Sequence, residues 1–236
     1  MNIWEDRKAV EQYMREADVA IPDRREILYI ISRLATDDAP ESPMIADLGG
    51  GFGDLTAAIL EHGPMANVEL IDLSKEMICL SRSRFKGDPR VRMEVHDLNL
   101  GLPDTWDDGS FDSIVSCQVL HYIEPENRVR LYKDIWSKLK DGAMFINGDL
   151  FKCDSPAIDR WEFDDRIRWL MPRMRSDAGE GMTFEELKAS RLEFRKRMGE
   201  KPGTVWQLNE DLRRAGFRHV DLLWKKQCFA ILAAIK

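Results

Sequence analysis

From Met44 onward the chain alternates short apolar runs with stretches in which apolar residues return every three or four positions. The runs are MIADL, VELIDL, VRMEV, FDSIVS and AMFINGDL, and the helical stretches cover Leu55 to Glu61, Glu76 to Phe85 and Arg128 to Leu139. Strand and helix in strict alternation predict a parallel sheet with helices on both faces. Near the end, LNEDLRRAGF closes a helix at Gly216, and two β-rich segments, HVDLLW and CFAILAAI, follow with few residues between them. A parallel crossover needs about a dozen residues or more, so this pair is an antiparallel hairpin.

Ahead of the alternation, Val10, Tyr13 and Met14, then Ile27, Leu28, Ile30, Ile31 and Leu34, lie at helical spacing. They predict two helices broken near Ile21-Pro22, because proline disfavours a helical residue before it. The acidic, proline-bearing segment ATDDAPESP reads as a linker. Between Phe151 and Val205 the alternation stops, and IDRWEFDDRIRWLM and TFEELKASRLEFRKRM carry helical spacing. An insertion after the fifth strand leaves the carboxyl edge of the sheet, where ligands of open α/β sheets sit. The expectation is one domain: N-terminal helices (1–40), a ligand-binding core (44–150), a helical lid (151–205) and a closing helix and hairpin (206–236).

The 236 residues are enough for one sizeable core, and the formal charge of −7 gives no general attraction to phosphate backbones, which makes nucleic acid an unfavoured partner. Cys79, Cys117, Cys153 and Cys228 are scattered without a CxxC pair, as expected of reduced thiols rather than a disulfide frame or zinc site. No apolar stretch approaches the ~20 residues of a membrane span, and the start MNIWEDRK lacks the features of a signal peptide. These features lead to the expectation of a soluble, cytoplasmic protein without a metal, and a homodimer is compatible with them.

The sharpest chemical signal is MIADLGGGFGDL, a strand ending at Leu48, a tight loop with Gly49, Gly51 and Gly53, and a helix starting near Asp54 or Leu55. Glycine permits the left-handed backbone and close approach to a ligand that such a loop needs. A dinucleotide site calls for G-x-G-x-x-G, but counting from Gly49 puts Asp54 at the third position and counting from Gly51 puts Thr56 there. Asp54 at the helix start would also repel a pyrophosphate. With Asp47 inside the strand end, the spacing D-x-G-x-G-x-G suits a cofactor bearing an ammonium group, and here the sequence resembles the first motif of class I S-adenosylmethionine-dependent methyltransferases. Nineteen residues past Gly53, Asp72 ends VELID, where a carboxylate accepts both ribose hydroxyls of an adenosine. Ser74 is the better cap of the next helix, with Met77 in its first turn.

The resemblance implies more. Asp97, at the end of VRMEVHD, falls where these enzymes read the adenine amino group, with Leu98 as its apolar neighbour. FDSIVSCQVLHYI is similar to the fourth strand of the small-molecule branch, and Ser116-Cys117-Gln118 replaces the Asn-Pro-Pro-Tyr signature of amide and base-amine methylation. KLKDGAMFINGD is similar to the family's Leu-Lys-Pro-Gly-Gly turn, with Asp141 for proline and Ala143 for the second glycine. The implied fold is a seven-stranded sheet of order 3-2-1-4-5-7-6 with its last strand antiparallel. The implied cofactor is S-adenosyl-L-methionine on Asp47, Gly49, Gly51, Gly53, Asp72, Leu73, Met77, Asp97, Leu98 and Cys117, leaving S-adenosyl-L-homocysteine as product. A small-molecule acceptor is expected under the lid.

Around that site, His121 can take a proton from an acceptor near neutral pH, with Tyr122 beside it. His62, His96 and His219 are expected at the surface or at strand flanks. Tyr13, Phe151, Trp161 and Trp169 are candidates for an aromatic box around a sulfonium or for substrate contact, against a role as ordinary core. Arg24, Arg25, Arg166, Arg168 and Arg173 are candidates for binding a carboxylate, against a solvated helix face. The lid and ending also resemble, more loosely, the enzymes that make carboxy-S-adenosylmethionine for tRNA wobble-uridine modification. The same motifs are compatible with a non-enzymatic S-adenosylmethionine-binding protein and, more distantly for want of the third glycine, with a nicotinamide oxidoreductase.

Overall fold

The apolar runs form the strands their pattern predicts in a computed structural model that describes Trp4 and residues 7–174 and 181–236. Strands β1 (Met44–Leu48), β2 (Asn67–Asp72), β3 (Val91–Val95), β4 (Phe111–Cys117) and β5 (Leu139–Leu150) are parallel. The hairpin of β6 (His219–Lys226) and β7 (Phe229–Ile235) completes the sheet, with β7 antiparallel to β5. The order is 3-2-1-4-5-7-6, as the resemblance implies. In β1 the last four residues are all buried, as expected where helices cover both faces. β5 starts earlier than its apolar run: Phe111 pairs with Leu139 but Ser113 with Met144, so the expected turn through Gly142 is an excursion within the strand.

On one face, α2 (Arg24–Thr36) and α3 (Asp54–His62) bury Ile27, Ile31 and Ile59 against Ile45, Val115 and Ile146. Each such side chain contributes about 1.5–3 kcal/mol relative to exposure. On the other, α5 (Pro125–Lys138) and α8 (Val205–Ala215) bury Leu131, Ile135 and Leu212 against Ile114 and Phe145. α4 (Lys75–Arg84) flanks β2 and β3, and Ser74 caps it by accepting the Met77 N–H at 3.1 Å.

α1 (Arg7–Ala20) ends just ahead of Pro22 and α2 resumes at Arg24, the break that proline predicts. The lid helices α6 (Pro156–Leu170) and α7 (Phe184–Met198) hold each other through Ile167, Leu170 and Leu187, with Ala20 of α1 against them. Thr183 and Glu186 start α7 with a reciprocal capping box. The lid positions 175–180 and residues 1–3, 5 and 6 lie outside the described residues. Among the described residues no helix is long and apolar enough to cross a membrane.

Candidate active site

The carboxyl ends of the parallel strands open into one cavity of about 400 Å³. Asp47 of β1, Asp72 of β2, Asp97 just past β3, Cys117 of β4, Leu150 of β5 and Phe229 of β7 all line it. Neighbouring strands are about 4.8 Å apart, so the sheet order becomes a spatial order along the cavity.

At one end is the glycine loop. Gly49, Gly51 and Gly53 have φ of 66°, 57° and 87°, the left-handed region that favours glycine. A Cβ on Gly51 would meet only Met77 Sδ, at 3.8 Å, so this backbone borders open space. Gly53 is different: it is the N-cap of α3, a Cβ there would come 2.4 Å from Phe85, and it does not line the cavity. Its place in the motif is explained by packing, which removes it from the predicted ligand contacts.

The three acids are held differently. Asp72 accepts the backbone N–H of Gly51 at 3.0 Å and of Ser74 at 2.8 Å, which fixes its carboxylate between the loop and α4. Burial pushes its pKa up to about 6, against the opposing pull of those two hydrogen bonds. Asp47 is 1% exposed, and burial raises its pKa to about 7. Its Oδ2 accepts the Thr56 hydroxyl at 2.7 Å, while Oδ1 is buried without a hydrogen-bond partner. Asp97 accepts the Asn99 backbone N–H at 2.9 Å and starts a short turn over Leu98–Leu100. Leu73, Met77 and Leu98 line the cavity beside these acids. His96, expected at a strand flank, also lines it while its Nε2 pairs with the Gly101 carbonyl at 2.9 Å.

Where β4 ends, Cys117 is half-buried, and desolvation raises its thiol pKa to about 12, so it faces the cavity as a neutral, compact side chain. Gln118 follows at φ 62°, a strained position for a side chain other than glycine, with its Nε2 buried and unpartnered at the cavity. Sequence reasoning misses Gln118. The signal that could have found it is its position in the segment that replaces the Asn-Pro-Pro-Tyr signature.

His121 and Tyr122 line the middle of the cavity. The side chains of His121 and Asp149 are each 3% exposed, and Nδ1 lies 2.5 Å from Asp149 Oδ1. A carboxylate only accepts, so Nδ1 carries the hydrogen and the Nε2 lone pair is free of the dyad. Sequence reasoning misses Asp149 too, although Asn147 and Asp149, two polar residues on one face of the otherwise apolar run AMFINGDL, are a readable signal. Burial, first of all, holds the Tyr122 phenol well above its ordinary pKa and raises Tyr13 to about 12, so both are neutral hydroxyls and neither is a base.

The aromatic wall differs from expectation. Tyr13 lines the cavity and meets Trp4 edge-on, centroids 5.3 Å apart, and Trp4 meets Tyr122 at 5.8 Å. Phe151 is buried in the main core and borders a separate cavity of about 20 Å³ behind the His121–Asp149 pair. Trp161 points to solvent, 64% exposed, and Trp169 packs into the lid's own core. Phe151 leaves the predicted box because it follows the end of β5 into the main core, and the two tryptophans leave it because the apolar residues of α6 are spread around the helix, which hides its inner face. The arginine group also divides: Arg24 and Arg166 line the cavity, Arg25 is exposed, and Arg168 and Arg173 stack on Phe184 and Trp169 outside it. Among the described residues no group of His, Cys, Asp and Glu could hold a metal ion.

Comparison with known proteins agrees with this geometry. Residues 45–142 match the family model of a methyltransferase domain. The chain is 24% identical to the carboxy-S-adenosyl-L-methionine synthase of Aeromonas hydrophila, over 98% of this chain and 89% of that protein. Its fold is similar to Haemonchus contortus phosphoethanolamine N-methyltransferase 2, solved with phosphomonomethylethanolamine and S-adenosylhomocysteine, at a TM-score of 0.71 and 14% identity. It is also similar to human N-acetylserotonin methyltransferase solved with S-adenosylmethionine, at a TM-score of 0.62 and 17% identity. The matches take in 100% and 99% of this chain but only 60% and 57% of those chains, so this chain spans about three fifths of their length. The sheet order and the glycine loop with its acids give the chain the class I, Rossmann-like fold of S-adenosylmethionine-dependent methyltransferases.

Proposed function

We propose that this protein transfers a methyl group from S-adenosylmethionine to a small-molecule acceptor enclosed by the lid. One observation carries the reading: the glycine loop, Asp47, Asp72 and Asp97 open into the same cavity as His121, which buried Asp149 holds from behind. The residues fit the cofactor. Asp47 Oδ1 and Gln118 Nε2 are buried polar atoms lacking partners, suited to an ammonium and to an acceptor oxygen of the ligand respectively, and the backbone at Gly51 borders open space. Asp72 takes the ribose hydroxyls, and Asp97 with Leu98 takes the adenine. When bound, the cofactor supplies an electrophilic methyl group on its sulfonium.

The chain's own residues then approach, orient and deprotonate. Asp149 holds His121 as the Nδ1–H tautomer, so Nε2 can take the proton that an acceptor hydroxyl or amine loses as its oxygen or nitrogen bonds to the methyl. Tyr122 and Tyr13, kept neutral by burial, position the acceptor as hydroxyl donors and, with Trp4, face the sulfonium with ring surface. The lid excludes water, so the transfer depends mainly on in-line positioning. The setting is the cytoplasm. Titration calorimetry with S-adenosylmethionine and S-adenosylhomocysteine, with Asp72→Ala as control, tests the cofactor site. A screen of small acceptors for S-adenosylhomocysteine release then tests turnover. A folded protein that binds neither compound refutes the proposal.

A second reading is favoured by the similarity to a carboxy-S-adenosyl-L-methionine synthase over nearly the whole chain. In it the same cavity makes or holds a carboxylated cofactor. The mass of any ligand carried through purification separates the two readings.

A further inference from the structure

Among the described residues, five cationic side chains line the cavity: Arg24, Arg166, Arg191, Arg195 and Lys201. Four have a carboxylate within 4 Å. Arg24 meets Asp54 at 2.6 Å and Asp18 at 2.9 Å, Arg191 meets Glu16 at 3.2 Å, Arg195 meets Glu200 at 3.0 Å and Lys201 meets Glu124 at 3.2 Å. Among the described residues Arg166 has no such carboxylate. Its guanidinium stacks 4.8 Å from the centre of the Phe229 ring, donates to the Ala20 carbonyl at 3.3 Å and reaches Cys228 Sγ at 3.7 Å. Its Nε is buried and has no hydrogen-bond partner. Removing a cation from water costs several kcal/mol, and a carbonyl, a thiol and a ring face return only part of that. A guanidinium so placed lacks the planar, two-oxygen partner its geometry matches.

Its position along the sheet says which ligand would supply that partner. Phe229 begins β7 and pairs with Leu150, so it stands at the same edge as Asp72, four strands away in the order 2-1-4-5-7. At about 4.8 Å per strand, that is roughly 19 Å. The cofactor residues of the proposed reading occupy β3, β2, β1 and the end of β4. His121–Asp149 lies next, across β4 and β5, and Arg166 lies beyond it at β7. A molecule anchored at Arg166 would extend back toward His121 Nε2, on the side away from the adenosine end.

The geometry points to an acceptor that carries a carboxylate, bound by Arg166, with its methyl-accepting atom presented at His121. This rests on the methyltransferase reading above and names the substrate class of that site. One unpaired cation calls for a monoanion. A phosphate dianion is disfavoured because every other cation in the wall already has a carboxylate.

The test is titration calorimetry of the full chain, with and without saturating S-adenosylhomocysteine. The probes are acetate, benzoate and phenylacetate, their uncharged amides, and inorganic phosphate. At least one carboxylate is expected to bind tenfold or more tightly than its amide and than phosphate. Arg166→Gln and Arg166→Met are expected to lose that binding at least tenfold while holding S-adenosylhomocysteine within twofold, and Arg166→Lys to retain part of it. Arg168→Gln, outside the cavity, is expected to match the unmodified protein, and thermal melts report whether each variant folds. The proposal is overturned if no carboxylate binds, if carboxylate and amide bind alike, if phosphate binds best, or if Arg166→Gln keeps the carboxylate. It is also overturned if a carboxylated cofactor copurifies and Arg166→Gln releases it, since the carboxylate would then belong to the cofactor. Failure of S-adenosylhomocysteine to bind a folded protein defeats the methyltransferase reading instead, and the titrations without it still report on Arg166.

Discussion

One carboxylate holds His121 by ring and backbone together: Asp149 Oδ1 lies 2.5 Å from Nδ1, and Asp149 Oδ2 accepts the His121 N–H at 3.1 Å. The backbone N–H fixes the carboxylate that orients the ring, so the imidazole meets a held partner and its Nε2 stays directed by the pair. If Nε2 accepts the acceptor's proton, Asp149→Asn and His121→Ala each lower kcat by about 10²- to 10⁴-fold. Cofactor affinity stays within about twofold, since neither residue belongs to the glycine loop or its acids. Residues that act as one unit are not additive, so the double variant falls no further than the worse single one. Release of S-adenosylhomocysteine with the acceptor found by screening measures all three. Additive losses would show two independent roles.

Asp47 couples stability to pH. Burial raises its folded pKa to about 7, above an unfolded value near 3.9, so between those values the folded chain holds the proton more tightly. The stability this contributes is complete below the unfolded pKa and is lost as pH rises through about 7. Asp47→Asn keeps an acceptor for Thr56 and removes the buried charge. Without ligand it is expected to be more stable than the unmodified chain at pH 8 by about 1–3 kcal/mol, with the difference gone at pH 4. It should also lose cofactor affinity at least tenfold. Denaturant melts at the two pH values and a calorimetric titration check both halves.

Asp72 gives a second pH dependence. At pH 5.5 a carboxyl with a pKa of about 6 is mostly protonated, and at pH 7.5 it is nearly all charged and able to accept ribose hydroxyls. In an Asp47→Asn background, where residual binding is free of the Asp47 proton, affinity for S-adenosylhomocysteine is expected to rise about fourfold between those pH values and then level off. Adding Asp72→Asn should flatten the profile. A profile that persists without Asp72 would assign the titration to another group.

The sheet was readable because its strands are bounded by turns and the central ones are buried by helices on both faces, which leaves runs such as MIADL with the limits the structure shows; VRMEV at the exposed edge was readable from its turns alone. Asp47, Asp72 and Asp97 were readable for the same reason, since a strand end fixes where its last side chain points. The lid was not. Ile158 and Trp161 of α6 face solvent while Ile167 and Leu170 are buried, so periodicity alone could not select Phe163 and Arg166 over Trp161 as the cavity-facing residues. Asp149 was hidden differently: its partner is 28 positions away, and the pair exists only because β5 lies beside β4. Trp4 was hidden by its place in a charged N-terminal stretch.

Trp4 supplies the last test. Its ring bridges Tyr13 and Tyr122, and its carbonyl accepts the Ser74 hydroxyl, so it ties the cap of α4 to the aromatic wall of the cavity. The sheet and its two main cores contain no part of this residue. Trp4→Ala removes two aromatic pairs worth about 0.5–1.5 kcal/mol each, so it is expected to lower the melting temperature by about 2–10 °C while leaving the chain folded. Opening the aromatic wall of the cavity should weaken S-adenosylmethionine binding about tenfold. Trp4→Phe should restore most of it, since a ring edge suffices for the contact. Equal losses for the neutral analogue S-adenosylhomocysteine and for the cationic cofactor would show that Trp4 encloses the site. A loss confined to the cation would show that the aromatic wall recognises the sulfonium charge. Unchanged affinity for both would separate Trp4 from the site altogether.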